Sequence, residues 1–229
     1  MLFVWYKVSF DEKWSHGSAV CETVYFFVEF VCVFPWKCVS LNNQNREKIM
    51  DGILRKLPIG IQTFEDIRRK NYLYVDKTAL VWRMANLGKP YFLSRPRRFG
   101  KSLLLSTFEA YFEGKKELFE GLAIADMEKE WKTYPVFHLD LNAEKYDSPQ
   151  ALVEILSRQL TQWELKYGKG EDEETLSGRF AGVIRRACEQ SGRGVVVLVD
   201  EYDKPLLQAL GDDALLDDYR KTLKAFYGV

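Results

Sequence analysis

The segment at residues 91–108 predicts a short strand, a tight loop and a helix in direct succession, which strongly constrains the fold. The helix begins at Gly100-Lys101-Ser102. Backbone N–H groups at a helix start attract an anion, a lysine beside them can meet phosphate oxygens, and a hydroxyl can ligate Mg²⁺. The usual phosphate-binding loop is G-x-x-x-x-G-K-[ST], but Arg95 occupies the position of its first glycine.

A second motif follows about a hundred residues later. Residues 195–199 are apolar, four of these five are β-branched, and Asp200-Glu201 comes next. This pattern predicts a strand that is buried on both faces and ends in two acids. Asp200 could hold Mg²⁺ and Glu201 could polarise an attacking water, because open α/β sheets bind ligands at the carboxyl ends of their strands. The two motifs in this order predict a P-loop nucleotide-binding core.

The pattern of elements predicts the fold class. Strands and helices alternate, so we predict an α/β, three-layer αβα fold with a mostly parallel sheet. Another strand is expected where the chain ends at Val229, so we predict that the sheet is truncated before its last strands. Asp212-Asp213 is predicted to cap the last helix. Predicted strands lie at 72–75, 91–93, 136–141 and 195–199, and predicted helices at 63–69, 78–87, 101–112, 115–120, 149–167, 176–190, 204–210 and 214–227.

Composition excludes several classes of protein. Lys and Arg total 33 and Asp and Glu total 33, so no net charge draws the chain to nucleic acid or to an anionic membrane. The four cysteines form no C-x-x-C pair and there are two histidines, which argues against zinc and disulfide frameworks. We predict reduced thiols and a cytoplasmic location.

Four segments resemble one family of proteins. It is the bacterial AAA-ATPase-like family, whose P-loop domain commonly precedes a PD-(D/E)XK-type nuclease domain, and its phosphate loop itself reads Arg-Pro-Arg-Arg-Phe-Gly-Lys-Ser. Arg95 therefore follows the family pattern. Nothing here matches the nuclease core, so nuclease activity is not expected of this chain. The four segments are Phe64-Glu65-Asp66-Ile67-Arg68, Tyr74-Val75-Asp76-Lys77-Thr78, Arg95-Pro96-Arg97-Arg98-Phe99-Gly100-Lys101-Ser102 and Val199-Asp200-Glu201-Tyr202-Asp203-Lys204-Pro205.

The resemblance implies ATP and Mg²⁺ as cofactors and assigns roles to residues. Lys101 and Glu201 are the implied catalytic residues, and Ser102 and Asp200 are the implied metal ligands. Guanidinium groups suit phosphate oxygens, although arginines here could equally be solvated or pair with acids such as Asp203. The predicted nucleotide-binding residues are Arg97, Arg98, Phe99, Gly100, Lys101, Ser102 and Leu103.

The N-terminal segment differs from the rest of the chain. Residues 1–49 hold three of the four cysteines and three of the six tryptophans. Their apolar stretch at residues 23–34 is too short to span a bilayer and starts too late for a signal peptide. We predict an extension outside the family at 1–49, for which a mis-assigned start codon with Met50 as the natural first residue is one explanation, and an AAA-ATPase-like P-loop domain, incomplete at its C-terminus, at 50–229. The alternative is a genuine β-rich segment at 1–49.

Three functions fit these motifs. The first is Mg²⁺-dependent ATP hydrolysis coupled to a nucleic-acid-related or partner-regulating task. The alternative is an ATP-binding switch, or an inactive ATPase module, that regulates a partner without turnover. A phosphotransferase fits less well, because Asp200-Glu201 at a strand end suits water activation better. Nucleic acid enters as a partner only through the family's association with nucleases, no membrane partner is expected, and the oligomeric state is not predicted.

Overall fold

The structure is a computed structural model that describes residues 24–27, 55–87, 91–92, 99–142 and 145–229. The described residues fall into two compact units, divided after residues 27 and 132, with 24–27 belonging to the same unit as 133–229. Of the predicted extension at residues 1–49, only 24–27 are described. The strands are β1 (Val24–Phe27), β2 (Tyr91–Phe92), β3 (Val136–Asp140) and β4 (Val196–Asp200). The helices are α1 (Phe64–Arg69), α2 (Thr78–Asn86), α3 (Lys101–Phe112), a 3₁₀ helix (Lys116–Phe119), α4 (Ala123–Met127), α5 (Pro149–Tyr167), α6 (Leu176–Ser191), α7 (Lys204–Gln208) and α8 (Asp213–Tyr227).

A small parallel sheet lies in the unit that contains residues 133–229. Strands β1 and β3 both pair with β4, in parallel, with Val24 and Val136 opposite Val196. All five residues of β4 are buried, as its apolar sequence predicts. The α/β class with a parallel sheet is therefore confirmed.

One face of this sheet packs against helices α5, α6 and α8. Phe137 and Leu139 of β3 and Val197 and Val199 of β4 belong to the same hydrophobic core as residues of these helices. Side chains alternate along a strand, so the neighbouring residues His138, Asp140, Leu198 and Asp200 lie on the opposite face. That alternation separates the acidic strand ends from the core.

The helices of this unit begin and end at residues that favour boundaries. Helix α5 has Pro149 in its first turn and ends before Gly168, which has φ 90°. The side chain of Thr175 accepts a hydrogen bond from the Gly178 N–H at the start of α6. The predicted cap before α8 is confirmed, because Asp212 accepts a hydrogen bond from the Leu215 N–H at 3.0 Å.

The other unit is built around helix α3. Phe64 of α1 and Leu105 of α3 are fully buried, and Phe64 contacts Phe119 with ring centroids 4.8 Å apart. The strand predicted at residues 72–75 is wrong: these residues form no strand. Tyr74 instead packs edge-on against Phe64. This contact covers the apolar ring of Tyr74 without the backbone hydrogen bonds that a strand would make.

Asp76 and Thr78 join two helix starts in this unit. The Asp76 carboxylate accepts hydrogen bonds from the Thr78 N–H and hydroxyl, at 2.8 and 2.7 Å, and from the Ala123 N–H at 2.7 Å. The Thr78 hydroxyl accepts from the Ile124 N–H at 3.1 Å. These bonds satisfy N–H groups that a helix start leaves without partners. The Tyr-Val-Asp-Lys-Thr segment thus has a structural role.

Two further findings concern membrane-spanning helices and Cys188. Within the described ranges, no helix combines the length and apolar character needed to cross a bilayer. Cys188 is buried and disulfide-bonded, so the prediction of a reduced thiol is wrong at this position.

Candidate functional site

The described part of the phosphate loop begins with Phe99 and Gly100. Gly100 is the residue before helix α3 and has φ 76° and ψ 29°, in the left-handed region. A Cβ at Gly100 would meet nothing within 4 Å, so the backbone conformation, and not the space, is what favours glycine here. Phe99 is 62% exposed. Arg95, Arg97 and Arg98 lie outside the described residues.

Lys101 and Ser102 are the first two residues of helix α3 and are half-buried. No side chain of the described residues caps this helix, and its first turn contains no acid. The first backbone hydrogen bond runs from the Leu104 N–H to the Gly100 carbonyl at 3.0 Å. The backbone N–H groups of residues 101–103 precede this bond, at the end of the helix to which the helix dipole attracts an anion.

Hydrogen bonds anchor helix α3 in the turn that follows its first residues. Its Ser106 hydroxyl accepts a hydrogen bond from the Phe64 N–H at 2.5 Å, and its Thr107 hydroxyl donates to the Leu103 carbonyl at 2.7 Å. Burial raises the pKa of Tyr74, while a hydrogen bond with Thr107 opposes that shift. The two segments that precede the loop in the chain thus brace the helix that carries Lys101.

Asp200 ends β4 on the face that turns away from the core helices. It is 5% exposed, and its Oδ1 is buried with no hydrogen-bond partner among the described residues. A buried carboxylate oxygen without a partner costs free energy, which a cation or a bound water can offset. The carboxylate therefore fits a metal ion, which prefers such hard oxygen ligands.

Glu201 follows Asp200 and has an uncommon backbone conformation. Its φ is 53°, in the left-handed region, which costs a non-glycine residue about 1–3 kcal/mol. The side chain is half-buried. Such conformations persist where surrounding contacts impose them, and they concentrate at functional sites.

Asp140 lies beside Asp200 in the sheet. The two residues are paired in register, and the Leu141 N–H donates to the Asp200 carbonyl at 3.1 Å. Asp140 is exposed, and its Oδ1 accepts a hydrogen bond from the Asn142 N–H at 2.8 Å. The structure thus brings Asp140, Asp200 and Glu201 together at adjacent strand ends, and it brings residues 99–103 together at one helix start.

Sequence reasoning assigned no role in the site to two residues that follow this acidic pair. Asp203 has a buried Oδ1 with no hydrogen-bond partner in the part of the chain that the structure describes. Lys204 donates from its Nζ to the carbonyl and to the side-chain oxygen of Asn142. The position of both residues in the Asp200–Pro205 motif is the signal that could have drawn attention to them.

Comparison with known proteins gives a family. The chain is 40% identical over 176 residues to the "Uncharacterized protein in vnfD 5'region" of Azotobacter chroococcum mcd 1. The matched region is 76% of this chain and 34% of that protein, so the chain spans about a third of the length of this relative. No solved structure matches. Residues 58–229 match the model of the AAA-ATPase-like family, described as "Predicted AAA-ATPase", and the chain therefore belongs to that family.

Proposed function

We propose that this chain is a P-loop domain that binds Mg·ATP and hydrolyses it. The observation that carries the proposal is the left-handed Gly100 at the start of an uncapped helix, followed at once by Lys101 and Ser102. Membership of the predicted AAA-ATPase family supports ATP as the nucleotide.

The phosphates are bound by residues 100–103. The N–H groups at the start of α3 donate to phosphate oxygens, and the Lys101 ammonium supplies a full positive charge beside them. Arg97 and Arg98 add guanidinium groups that suit the same oxygens. Gly100 allows the backbone turn that points these N–H groups outwards.

Magnesium fits the donors that the chain offers. Ser102 supplies a hydroxyl, and Asp200 supplies a buried carboxylate oxygen that has no partner among the described residues. No group of three or more His, Cys, Asp or Glu residues in the described ranges could hold a metal ion. Mg²⁺ is commonly bound by one or two carboxylates together with substrate phosphates. When bound, the ion neutralises charge on the transferring phosphoryl group.

Glu201 is the proposed water-activating residue. Its carboxylate accepts a hydrogen bond from the attacking water, and its left-handed backbone fixes the direction in which the side chain leaves the strand. Hydrolysis would serve a nucleic-acid-related or partner-regulating task.

The test compares ATP turnover by the wild type, Glu201→Gln and a control, Glu154→Gln, which changes an exposed glutamate of helix α5. We expect Glu201→Gln to lower kcat by about 100-fold or more while Mg·ATP still binds, because it removes a general base. Glu154→Gln should keep the wild-type kcat. A wild type that binds Mg·ATP without turnover would contradict hydrolysis and would identify a nucleotide-dependent switch.

A further inference from the structure

Helix α7 holds both ends of the segment at residues 142–146. The Lys204 ammonium donates to the carbonyl oxygen of Asn142 and to its Oδ1, the latter at 3.1 Å. One turn later, the Gln208 Oε1 accepts a hydrogen bond from the Tyr146 N–H at 2.8 Å. Two side chains of one short helix thus bind Asn142 and Tyr146, two residues that follow β3.

The same loop is bonded to the strand ends that carry the acids. The Leu141 N–H donates to the Asp200 carbonyl at 3.1 Å, and the Tyr146 hydroxyl donates to the Leu141 carbonyl at 2.8 Å. The Asn142 N–H donates to Asp140 at 2.8 Å. Asn142 and Tyr146 are therefore linked by hydrogen bonds, through Asp140 and Leu141, to the strand end that carries Asp200.

Helix α7 is also bonded to the turn that contains Glu201. The Lys204 N–H donates to the Glu201 carbonyl at 3.0 Å, which closes the turn at residues 201–204. A left-handed backbone at a non-glycine residue persists only when surrounding contacts impose it. The bonds made by Lys204 supply such contacts, through its backbone to Glu201 and through its side chain to Asn142.

We infer that Lys204 and Gln208 are positioning residues that hold the turn carrying Glu201 in its active geometry by anchoring helix α7 to the loop at residues 142–146. This inference deepens the proposed hydrolysis and rests on it. We call the set of bonds from Lys204 and Gln208 to Asn142 and Tyr146 the α7 clamp.

The contacts that Lys204 makes favour a positioning role for this residue over an electrostatic one. Both oxygens that Lys204 contacts belong to Asn142 and are neutral, so the ammonium forms hydrogen bonds and no ion pair there. A hydrogen bond to a charged group contributes less to stability where solvent competes, and the contact between Lys204 and Asn142 is exposed. A misplacement of about 1 Å near a reacting centre costs about 100-fold in rate. Loss of the clamp should therefore affect turnover more than stability.

The experiment uses the full chain with three substitutions. Lys204→Met keeps the length of the side chain and removes its donors, whereas Lys204→Arg keeps donors. Lys145→Met is the matched control, because Lys145 lies in the same loop, has a side chain that is 82% exposed and pairs with Asp147 at the surface. We measure kcat for ATP, the Kd for Mg·ATP and the midpoint of urea unfolding.

We expect Lys204→Met to lower kcat at least tenfold with a Kd within about threefold of the wild type. Lys204→Arg should recover most of the lost kcat, and Lys145→Met should match the wild type. If Lys204→Met does not fold, Gln208→Leu removes the other half of the clamp and should give the same loss of kcat. A folded Lys204→Met or Gln208→Leu with wild-type kcat would overturn the clamp alone, whereas a wild type without turnover would overturn the proposed hydrolysis and the clamp with it.

Discussion

Asp140 and Asp200 are partners in register at the ends of two adjacent parallel strands, yet their carboxylates have opposite environments. Asp200 is buried, and its Oδ1 has no hydrogen-bond partner in the described ranges. Asp140 is exposed and accepts a hydrogen bond from Asn142. The difference favours Asp200 over its neighbour as the proposed magnesium ligand.

Neutralising these two acids should therefore have unequal effects. We expect Asp200→Asn to raise the Mg²⁺ concentration needed for half-maximal ATP binding on the order of tenfold or more, because a hard cation loses an anionic ligand. Asp140→Asn removes the same charge from the same register position and should change this concentration less than threefold. A Mg²⁺ titration of ATP binding measures both. Equal effects of the two substitutions would contradict the role given to Asp200.

Gly182 should tolerate no side chain while Glu173 is present. A Cβ at Gly182 in helix α6 would overlap the Glu173 carboxylate. That carboxylate cannot easily move, because Arg186 holds both of its oxygens and the Gly170 N–H donates to it at 3.2 Å. Gly182→Ala should lower the free energy of unfolding by about 1–3 kcal/mol, measured by urea denaturation.

The sign of this effect should reverse when Glu173 is removed. In a Glu173→Ala background the obstruction is gone, and Ala in a helix is favoured over Gly by about 0.5–1 kcal/mol. Gly182→Ala should then stabilise the protein relative to Glu173→Ala alone. Destabilisation by the same amount in both backgrounds would show that the carboxylate is not the obstacle.

The protein should lose stability in acid through two glutamates. A hydrogen bond from Arg179 lowers the pKa of Glu164, and a hydrogen bond from Arg186 lowers the pKa of Glu173, although burial opposes both shifts. A carboxylate whose pKa is lower in the folded state stabilises the protein above its unfolded pKa of about 4.3, and this contribution is lost as the pH falls through the folded value. The free energy of unfolding should therefore fall as the pH drops from about 5.

Glu164→Gln tests the assignment to particular residues. Measured by urea denaturation across this range, the variant should lose stability less steeply with falling pH than the wild type, because one of the titrating carboxylates is absent. Glu154→Gln, which changes an exposed glutamate on the same helix, serves as the control and should keep the wild-type slope. A wild-type slope in Glu164→Gln would contradict the contribution of the Glu164–Arg179 pair.

Local signals in the sequence predict the long helices well. The prediction for α5 coincides with Pro149–Tyr167, because proline favours its start and Gly168 its end. The prediction for α3 coincides with Lys101–Phe112. In contrast, α4 was not predicted, since it has five residues and its start is capped by Asp76, which is 47 residues away. Such a distant contact leaves no local periodicity to detect.

The candidate site, like the fold, could be predicted from the sequence only in part. Motifs predict residues 97–103, Asp200 and Glu201, and these functional roles stay predictions. Sequence could not give the unpartnered Oδ1 of Asp200 or the left-handed φ of Glu201, because both depend on tertiary contacts. The contact of Lys204 with Asn142 joins residues that are 62 positions apart. Only a folded chain reveals it.

The most direct test of the central claim is Mg·ATP binding by the wild type, by Lys101→Ala and by Lys221→Ala, measured by calorimetry. Lys101 is in the first turn of α3, whereas Lys221 is an exposed lysine of α8 that pairs with Asp217. Removing the phosphate-binding charge should weaken binding at least tenfold, and Lys221→Ala should bind like the wild type. Unchanged affinity in a folded Lys101→Ala variant would contradict the assignment of residues 100–103 as a phosphate-binding loop.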